Sequence, residues 1–243
     1  MVVNEIFHSI QGEGLLAGTP SVFIRLAGCP LRCVWCDTKY AWDANEGEEL
    51  PIPEIINRIV HWPCRFVVIT GGEPMVNPQL PDLAKALKER NKHITIETAG
   101  IKFVAGLACD LMSVSPKLSN SVQAGEAPSA SSPANGLPGQ ATHAHRQVSL
   151  TEIQYLSSLK QLIRRYPYQL KFVVDSPDDL PEIQQAIEQI GGVSAEKVML
   201  MPQAKKREEL IAKSPMVAQM CKETGYVFCQ RLHILLYDGA KGK

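Results

Sequence analysis

The sequence predicts an α/β protein, built as a partial (β/α)6 barrel of mainly parallel strands. Short apolar runs, typical of strands buried on both faces, alternate along the chain with segments that carry apolar residues at helical spacing. This alternation indicates β-α-β units and hence a parallel sheet. The composition, 45% hydrophobic and 21% charged, is typical of a globular protein. In addition, chemically distinctive residues follow the ends of the predicted strands.

Six segments have the pattern expected of a buried strand, each an apolar run bounded by turn-forming residues. They are residues 21–27, 64–70, 93–98, 111–115, 169–174 and 197–201. The carboxyl ends of parallel strands meet at one edge of the sheet, where α/β proteins place their active sites. We therefore expect the polar residues that follow these strands to face one common site.

Five helices are predicted between and after these strands from apolar spacing and capping residues. They cover residues 53–60, the segment after Pro78, residues 151–166, the segment from Ser176 to Gly191, and residues 206–225. Asn77 and Ser176 precede two of them as N-cap residues. Pro215 lies inside the last segment, and we expect it to interrupt and restart that helix because proline lacks an N–H group.

We expect a single domain spanning residues 1–243, with a low-complexity insertion at residues 119–149. The insertion is rich in Ala, Ser, Gly and Pro and has almost no large apolar residues. Such a segment cannot bury enough surface to offset the entropy lost on ordering, which predicts flexibility. His143 and His145 lie within it, a spacing that could hold a metal ion but more often marks surface residues.

Charge and apolar patterning exclude several classes of protein. Twenty-five basic and 25 acidic residues cancel, so no basic excess favours a nucleic-acid partner. No apolar run reaches the roughly 18 residues that a membrane span needs, and the first residues lack a signal-peptide pattern. We therefore predict a cytoplasmic protein without a membrane partner. The seven cysteines are an odd number and three of them are clustered, which argues against a framework of disulfides.

The cluster consists of Cys29, Cys33 and Cys36, spaced C-x3-C-x2-C directly after the first predicted strand. A [4Fe–4S] cluster usually takes four cysteine ligands, so three thiolates would leave one iron open to a ligand that is not protein. The same cysteines could instead belong to a zinc site completed by His8 or His61, since structural zinc takes four N or S ligands. They could also be ordinary buried thiols.

A Gly-Gly-Glu-Pro turn, residues 71–74, follows the second predicted strand. Gly71 and Gly72 lack a Cβ, so the backbone there can approach a ligand closely. Taken alone the turn is a weak signal, because Gly and Pro mark turns everywhere. Its position after a strand, a short distance beyond the cysteine loop, makes it a specific one.

Residues 29–36, with Trp35 before the last cysteine, resemble the cluster loop of the radical S-adenosylmethionine (SAM) superfamily, and residues 71–74 resemble its glycine-rich turn. The resemblance implies a [4Fe–4S] cluster on the three cysteines and SAM at the open iron, cleaved by one electron to a 5′-deoxyadenosyl radical. It implies that residues at the strand ends bind SAM. They are Gly72, Glu73, Ser115, Pro116, Lys117 and Gln203.

A narrower resemblance involves residues 10–14, Arg25, the cysteine loop and residues 37–38. Together they resemble the 7-carboxy-7-deazaguanine synthase family. This implies a carbon–nitrogen lyase that contracts the ring of 6-carboxy-5,6,7,8-tetrahydropterin with loss of ammonia, on the route to 7-deazapurines and queuosine. It also implies catalytic use of SAM, a Mg²⁺ ion bound at Thr38, an external reductant such as flavodoxin or ferredoxin, and a homodimer. No protein side chain is predicted to act as a catalyst itself.

The substrate-binding residues follow from the same resemblance and from their donors and acceptors. They are Ile10, Gln11, Gly12, Glu13, Arg25 and Thr70. Arg25 offers a planar fork suited to a carboxylate, although it could equally form a structural ion pair within its strand. Glu97 could face the site or point outward, and His233 matches a Gln-x-His segment of relatives only with one residue inserted.

Two other functions are consistent with the cysteine loop. A radical SAM activase of a glycyl radical enzyme would share the loop but would not need residues 11–14 or Arg25. An iron–sulfur electron carrier would explain the cysteines but not residues 71–74 or the polar residues at the strand ends. Analysis of metal content and SAM cleavage separates these alternatives.

Overall fold

The computed structural model describes residues 1–121 and 153–242, and its strands form one sheet. The strands are β1 (Val2–Ile10), β2 (Pro20–Leu26), β3 (Glu48–Glu49), β4 (Phe66–Gly71), β5 (His93–Thr98), β6 (Leu111–Val114), β7 (Tyr168–Val174), β8 (Val198–Pro202) and β9 (Val227–Phe228). Their order across the sheet is β3-β1-β2-β4-β5-β6-β7-β8-β9. β1 is antiparallel to β2 and β3, and every pair from β2 to β9 is parallel.

The α-helices connect successive parallel strands or follow the last of them. They are α1 (Ile52–Ile59), α2 (Leu80–Lys88), α3 (Ile153–Arg165), α4 (Leu180–Ile190), α5 (Arg207–Thr224) and α6 (Leu232–Tyr237). Because the parallel strands occur in the sheet in chain order, right-handed connections place α1 to α5 on one face. This topology confirms the predicted α/β class with a mainly parallel sheet.

Alternation along the strands separates a helix-covered face from a face that lines the site. Ile24, Ile69 and Ile96 are fully buried in the main hydrophobic core with the helices. The residues that follow them, such as Arg25 and Thr70, line a cavity on the opposite face. Side chains alternate between faces along a strand, so one register builds both the core and the site.

The six predicted strands correspond to β2 and β4 to β8, whereas β1, β3 and β9 were missed. The predicted first strand is in fact the second, because β1 precedes it. Residues of β1 are partly polar, including Asn4, Glu5 and His8, so the segment lacks the apolar run of a buried strand. Pairing with β2, from Val3 opposite Leu26 to Ile10 opposite Pro20, holds it in the sheet.

The predicted break at Pro215 is wrong, since α5 continues through it as one helix that ends at Gly225 in the left-handed conformation. Pro215 removes one N–H from the helix, which would otherwise bond the carbonyl of Ile211. Both residues lie on the exposed face, where water can solvate the released carbonyl. Val217 and Met220 are buried on the other face and keep the helix packed.

Most of the predicted insertion, together with His143 and His145, lies outside the described residues. Its first turn, Ser119–Ser121, is a 3-10 turn beside the cysteine loop, where the N–H of Val34 donates to the carbonyl of Ser121 over 3.1 Å. The predictions of a single domain and of a flexible insertion stay predictions. Among the described residues no helix is both long and apolar enough to cross a membrane.

Candidate active site

A cavity of about 700 Å³ opens at the carboxyl ends of the parallel strands. It is lined by every residue predicted from the sequence to bind substrate, cofactor or metal, except Pro116. These are Ile10, Gln11, Gly12, Glu13, Arg25, Cys29, Cys33, Cys36, Thr38, Thr70, Gly72, Glu73, Ser115, Lys117 and Gln203. Segments far apart in sequence thus converge on one space large enough for a cofactor and a small substrate.

Hydrogen bonds within the cysteine loop and to the segment that follows it fix the shape of the loop. The N–H of Cys29 donates to the carbonyl of Trp42 over 3.0 Å, and the N–H of Cys36 donates to the carbonyl of Cys33 over 3.1 Å. Arg32 donates from one nitrogen to the carbonyls of Cys29 and Leu31. These contacts shape a loop whose three thiols line the cavity.

Burial favours the protonated form of two of these thiols, Cys29 and Cys33, in the protein alone. Burial raises the pKa of Cys29 to about 12 and raises the pKa of Cys33 above its usual value. Thiolates are the ligands of iron, so metal binding must displace these protons. Assembly of a cluster here is therefore coupled to proton release.

The donors suit an iron–sulfur cluster better than a zinc ion. Across residues 1–121 and 153–242, no three Cys, His, Asp or Glu side chains are arranged to hold one metal ion. A cluster makes a different demand, because each thiolate binds its own iron atom. His8 and His61, which could have completed a zinc site, pack against Trp62 with ring centroids 5.9 and 4.3 Å away.

The glycine-rich turn packs directly against the cysteine loop. A Cβ on Gly72 would lie 2.1 Å from the carbonyl oxygen of Gly28 and 2.8 Å from that of Ala41. The N–H of Glu73 donates to the same Gly28 oxygen over 2.9 Å. Gly72 is thus required for contact between two backbones, in addition to any approach of a ligand.

Glu73 ties the turn to the neighbouring strand end. Its carboxylate accepts hydrogen bonds from the Thr98 hydroxyl at 2.6 Å, the Ala99 N–H at 2.7 Å and the Met75 N–H at 3.0 Å. Burial raises the pKa of this carboxyl above its usual value, even though these donors lower it. About one of the four lone-pair positions of a carboxylate remains for a ligand.

Polar groups from the next strand ends complete this side of the cavity. Lys117 Nζ lies 3.1 Å from Ser115 Oγ, and the backbone N–H of Lys117 donates to the hydroxyl oxygen of Tyr155 over 3.0 Å. Gln203 Oε1 accepts from Lys213 Nζ over 2.8 Å. An ammonium group can only donate, so this contact leaves the Gln203 amide nitrogen as the group available to a ligand.

The opposite wall is formed by the segment after β1. Gln11 Oε1 accepts the N–H of Gly12 over 2.8 Å, and its Nε2 donates to Glu97 Oε1 over 3.1 Å. Glu97, whose orientation the sequence left open, therefore faces the cavity. A Cβ on Gly12 would lie 2.1 Å from Nδ1 of His233, so this turn packs against that imidazole.

Three basic residues of this wall were missed or only weakly indicated by the sequence. Lys171, Arg231 and His233 all line the cavity. Arg231 pairs with Glu13 over 3.1 Å and with Asp37 over 2.9 Å. Burial lowers the pKa of His233, which favours a neutral imidazole at neutral pH. Lys171 does leave a signal, because Gln169 and Lys171 are alternating polar positions in an otherwise apolar strand.

Arg25 combines both interpretations drawn from the sequence. Its Nε pairs with Glu5 Oε1 over 2.6 Å, and Tyr40 donates to the same oxygen over 2.9 Å. Its Cζ lies 5.9 Å from the ring centroids of Phe7 and of Tyr40. This geometry fixes a guanidinium at the cavity. Among the described residues its terminal nitrogens have no hydrogen-bond partner, so they are available to a ligand.

Known proteins resemble this chain in the same motifs and over its whole length. The sequence model of the radical SAM superfamily matches residues 23–125, which contain the cysteine loop and the glycine-rich turn. The 7-carboxy-7-deazaguanine synthase of Rhodopirellula baltica is 39% identical over 245 residues, covering 100% of this chain and 88% of that protein. That of Halobacterium salinarum is 36% identical, covering 98% and 91%.

A solved structure agrees in fold. The crystal structure of QueE from Escherichia coli has a TM-score of 0.61 and 24% identity, covering 94% of this chain and 92% of that chain. The full-length sequence similarity, the fold and the convergence of the cysteine loop with the polar wall lead to one assignment. The chain belongs to the 7-carboxy-7-deazaguanine synthase family of the radical SAM superfamily.

Proposed function

We propose that this protein contracts the ring of 6-carboxy-5,6,7,8-tetrahydropterin to give 7-carboxy-7-deazaguanine, with loss of ammonia, in 7-deazapurine biosynthesis. The observation that carries the proposal is that a cysteine loop of the radical SAM type and a wall of hydrogen-bonding side chains line one cavity. Membership of the family over the whole chain supports the same reaction.

Cys29, Cys33 and Cys36 would hold the [4Fe–4S] cluster, and the strand ends on the same side of the cavity would hold SAM. When bound and reduced, this pair supplies a 5′-deoxyadenosyl radical. Lys117 and Ser115 present a cation and a hydroxyl suited to the SAM carboxylate or ribose. Glu73 presents its remaining lone pair to an ammonium group. Pro116 does not line the cavity, so any contribution from it is indirect.

The wall around Gln11 and Glu97 suits the planar, polar ring of a pterin. A pterin presents N–H donors along its pyrimidine edge, and carboxylate oxygens are strong acceptors for such groups. Arg25 offers its terminal nitrogens to the substrate carboxylate. The backbone at Ile10 and Gly12 and the hydroxyl of Thr70 lie at the same cavity.

A Mg²⁺ site at Thr38 is part of the proposal. The hydroxyl of Thr38 lies 3.6 Å from Cys36 Sγ, next to the cysteine loop and at the cavity. One hydroxyl is a poor magnesium site by itself, so the substrate carboxylate and water would have to complete the octahedron. The external reductant and the homodimer are likewise part of the proposal. The molar mass of the purified protein in solution tests whether it is a dimer.

An anaerobic assay tests the reaction. The cluster-reconstituted protein is incubated with SAM, Mg²⁺, dithionite and 6-carboxytetrahydropterin, and the products are read by mass spectrometry. We expect 7-carboxy-7-deazaguanine from the wild type and none from Cys33→Ala. Cleavage of SAM without this product would keep the radical chemistry and reject the substrate. Omitting Mg²⁺ from the same assay tests the metal.

A further inference from the structure

Lys171 is a buried cation that the proposed reaction leaves without a task. Its side chain is 2% exposed, and its ammonium lies 2.7 Å from Glu13 Oε2 and 2.8 Å from Glu97 Oε2. The two carboxylates come from different parts of the chain, Glu13 from the turn after β1 and Glu97 from β5. One lysine on β7 therefore joins two separate segments of the cavity wall.

Both carboxylates that pair with Lys171 make further contacts among the described residues. Glu13 also contacts Arg231 at 3.1 Å and His233 at 3.8 Å, and Glu97 accepts from Gln11. Burial raises the pKa of Glu13, but Lys171 and then Arg231 outweigh it and hold that pKa well below the usual range. Burial likewise lowers the pKa of Lys171, but Glu13 and Glu97 outweigh it and keep the ammonium charged.

We propose that Lys171 is a positioning residue, which holds Glu13 and Glu97 in place as an ionised, acceptor-only wall against the N–H donors of the substrate. This inference rests on the proposed function, since it assigns the substrate edge that the wall reads. A carboxylate accepts hydrogen bonds only when ionised, whereas a protonated carboxyl also donates. A buried carboxylate without a cation is costly, so the wall needs a counter-ion that does not itself occupy the cavity.

The position of residue 171 between two carboxylates also explains why a lysine suits it. An ammonium has three donors on a compact head, and two of them are used by Glu13 and Glu97. Each carboxylate keeps further lone pairs for the substrate. The wall would therefore prefer a ring edge with N–H and amino donors over an isomeric edge of acceptors.

The test compares Lys171→Met and Lys171→Arg with the wild-type holoenzyme. Lys88→Met is the matched control, because Lys88 also pairs with a carboxylate, that of Asp110, but at a site 49% exposed. Three quantities are measured: the Kd of 6-carboxypterin, which is an oxidised form of the substrate, the kcat/KM for product formation, and the 5′-deoxyadenosine released per product. We expect Lys171→Met to lower kcat/KM by about 100-fold, as misplacement by about 1 Å does. The Kd of 6-carboxypterin should rise at least about tenfold, since one partner of a buried pair is lost.

The amount of 5′-deoxyadenosine released per product distinguishes a positioning role of Lys171 from a role in stability alone. If the substrate is poorly positioned, Lys171→Met should release more 5′-deoxyadenosine per product than the wild type. Lys171→Arg should bring this ratio most of the way back to the wild-type value, because it keeps the charge. Lys88→Met should match the wild type. If Lys171→Met folds and its Kd, its kcat/KM and its ratio of 5′-deoxyadenosine to product are all unchanged, the inference is wrong. A wild-type enzyme that forms no product would instead reject the proposed function.

A charge-balanced pair keeps the test informative if Lys171→Met does not fold. The double variant Lys171→Met/Glu97→Gln removes one positive and one negative charge together. Because Glu13 also loses its lysine in the double variant, that variant should bind 6-carboxypterin more weakly than Glu97→Gln alone. A double variant that folds and binds 6-carboxypterin as tightly as Glu97→Gln would contradict the proposal.

Discussion

The contact between the glycine-rich turn and the cysteine loop leads to a sharp prediction for Gly72→Ala. The added Cβ would lie 2.1 Å from the Gly28 oxygen, and the neighbouring atoms are all backbone. Real Cβ atoms essentially never lie within 3.0 Å of another heavy atom, so the turn and the loop must separate by about 0.9 Å or more. Gly72 has an ordinary φ, so the clash, not backbone strain, is the cause.

The magnitude follows from the contacts that this separation breaks. The Glu73 N–H to Gly28 hydrogen bond of 2.9 Å would be lost or weakened, at a cost of about 1 kcal/mol. Forcing an extra methyl into a packed site costs about 1–3 kcal/mol more. For a protein of this size, about 2–4 kcal/mol lowers Tm by roughly 5–15 °C. The displaced loop should also bind less iron.

Thermal unfolding and iron content after anaerobic reconstitution measure both effects. Gly106→Ala is the control, because a Cβ there would meet nothing within 4 Å, although its φ of +71° is unfavourable for alanine. We expect it to lower the free energy of unfolding by about 1–2 kcal/mol, with no loss of iron. A Gly72→Ala protein with full iron content and an unchanged Tm would refute the reasoning.

Three further substitutions test separate parts of the site. Thr98→Val removes a buried donor to Glu73 and should cost about 1–3 kcal/mol of unfolding free energy by chemical denaturation; a change below about 0.5 kcal/mol would contradict the assigned hydrogen bond. Lys213→Met frees the Gln203 amide to rotate and should raise the KM for SAM by about tenfold with little change in Tm, since one hydrogen bond to a charged group orients it; an unchanged KM would exclude this orienting contact. Glu13→Gln tests linkage: because the folded-state pKa lies below its ordinary value of 4.5, the wild type's stability advantage should be complete above that pH and shrink as pH falls below it. Breaking the buried pair should cost about 3–5 kcal/mol near neutral pH, and an advantage that grew on acidification would have the wrong sign.

Local signals in the sequence were sufficient for six of the strands, β2 and β4 to β8, and for most of the residues that line the cavity. Buried strands such as residues 93–98 are apolar on the helix side, and this is visible without any knowledge of their neighbours. The strand ends meet at one edge of a parallel sheet, so motifs after different strands could be placed together in advance. The cysteine loop and the turn at residues 71–74 were found in this way.

Other features depended on partners distant in the chain. β1 is a strand because β2 pairs with it, and α5 continues through Pro215 because its other face is buried. The hydrogen bonds to Glu73 from Thr98 and Ala99, at the end of β5, could not be anticipated from the turn itself. In each case the deciding contact joins residues whose proximity is set by packing.

The sequence by itself determined the α/β class, the three thiols and the polar residues at the strand ends, because strand periodicity and short motifs are encoded by neighbouring residues. Only the tertiary structure decided that Lys171 lies between Glu13 and Glu97, and that Arg231 joins Glu13 to Asp37. The physical reason is that a buried ion pair is defined by the register of strands and turns far apart in sequence. A lysine in an apolar strand shows that a counter-charge is needed, but not which carboxylate supplies it.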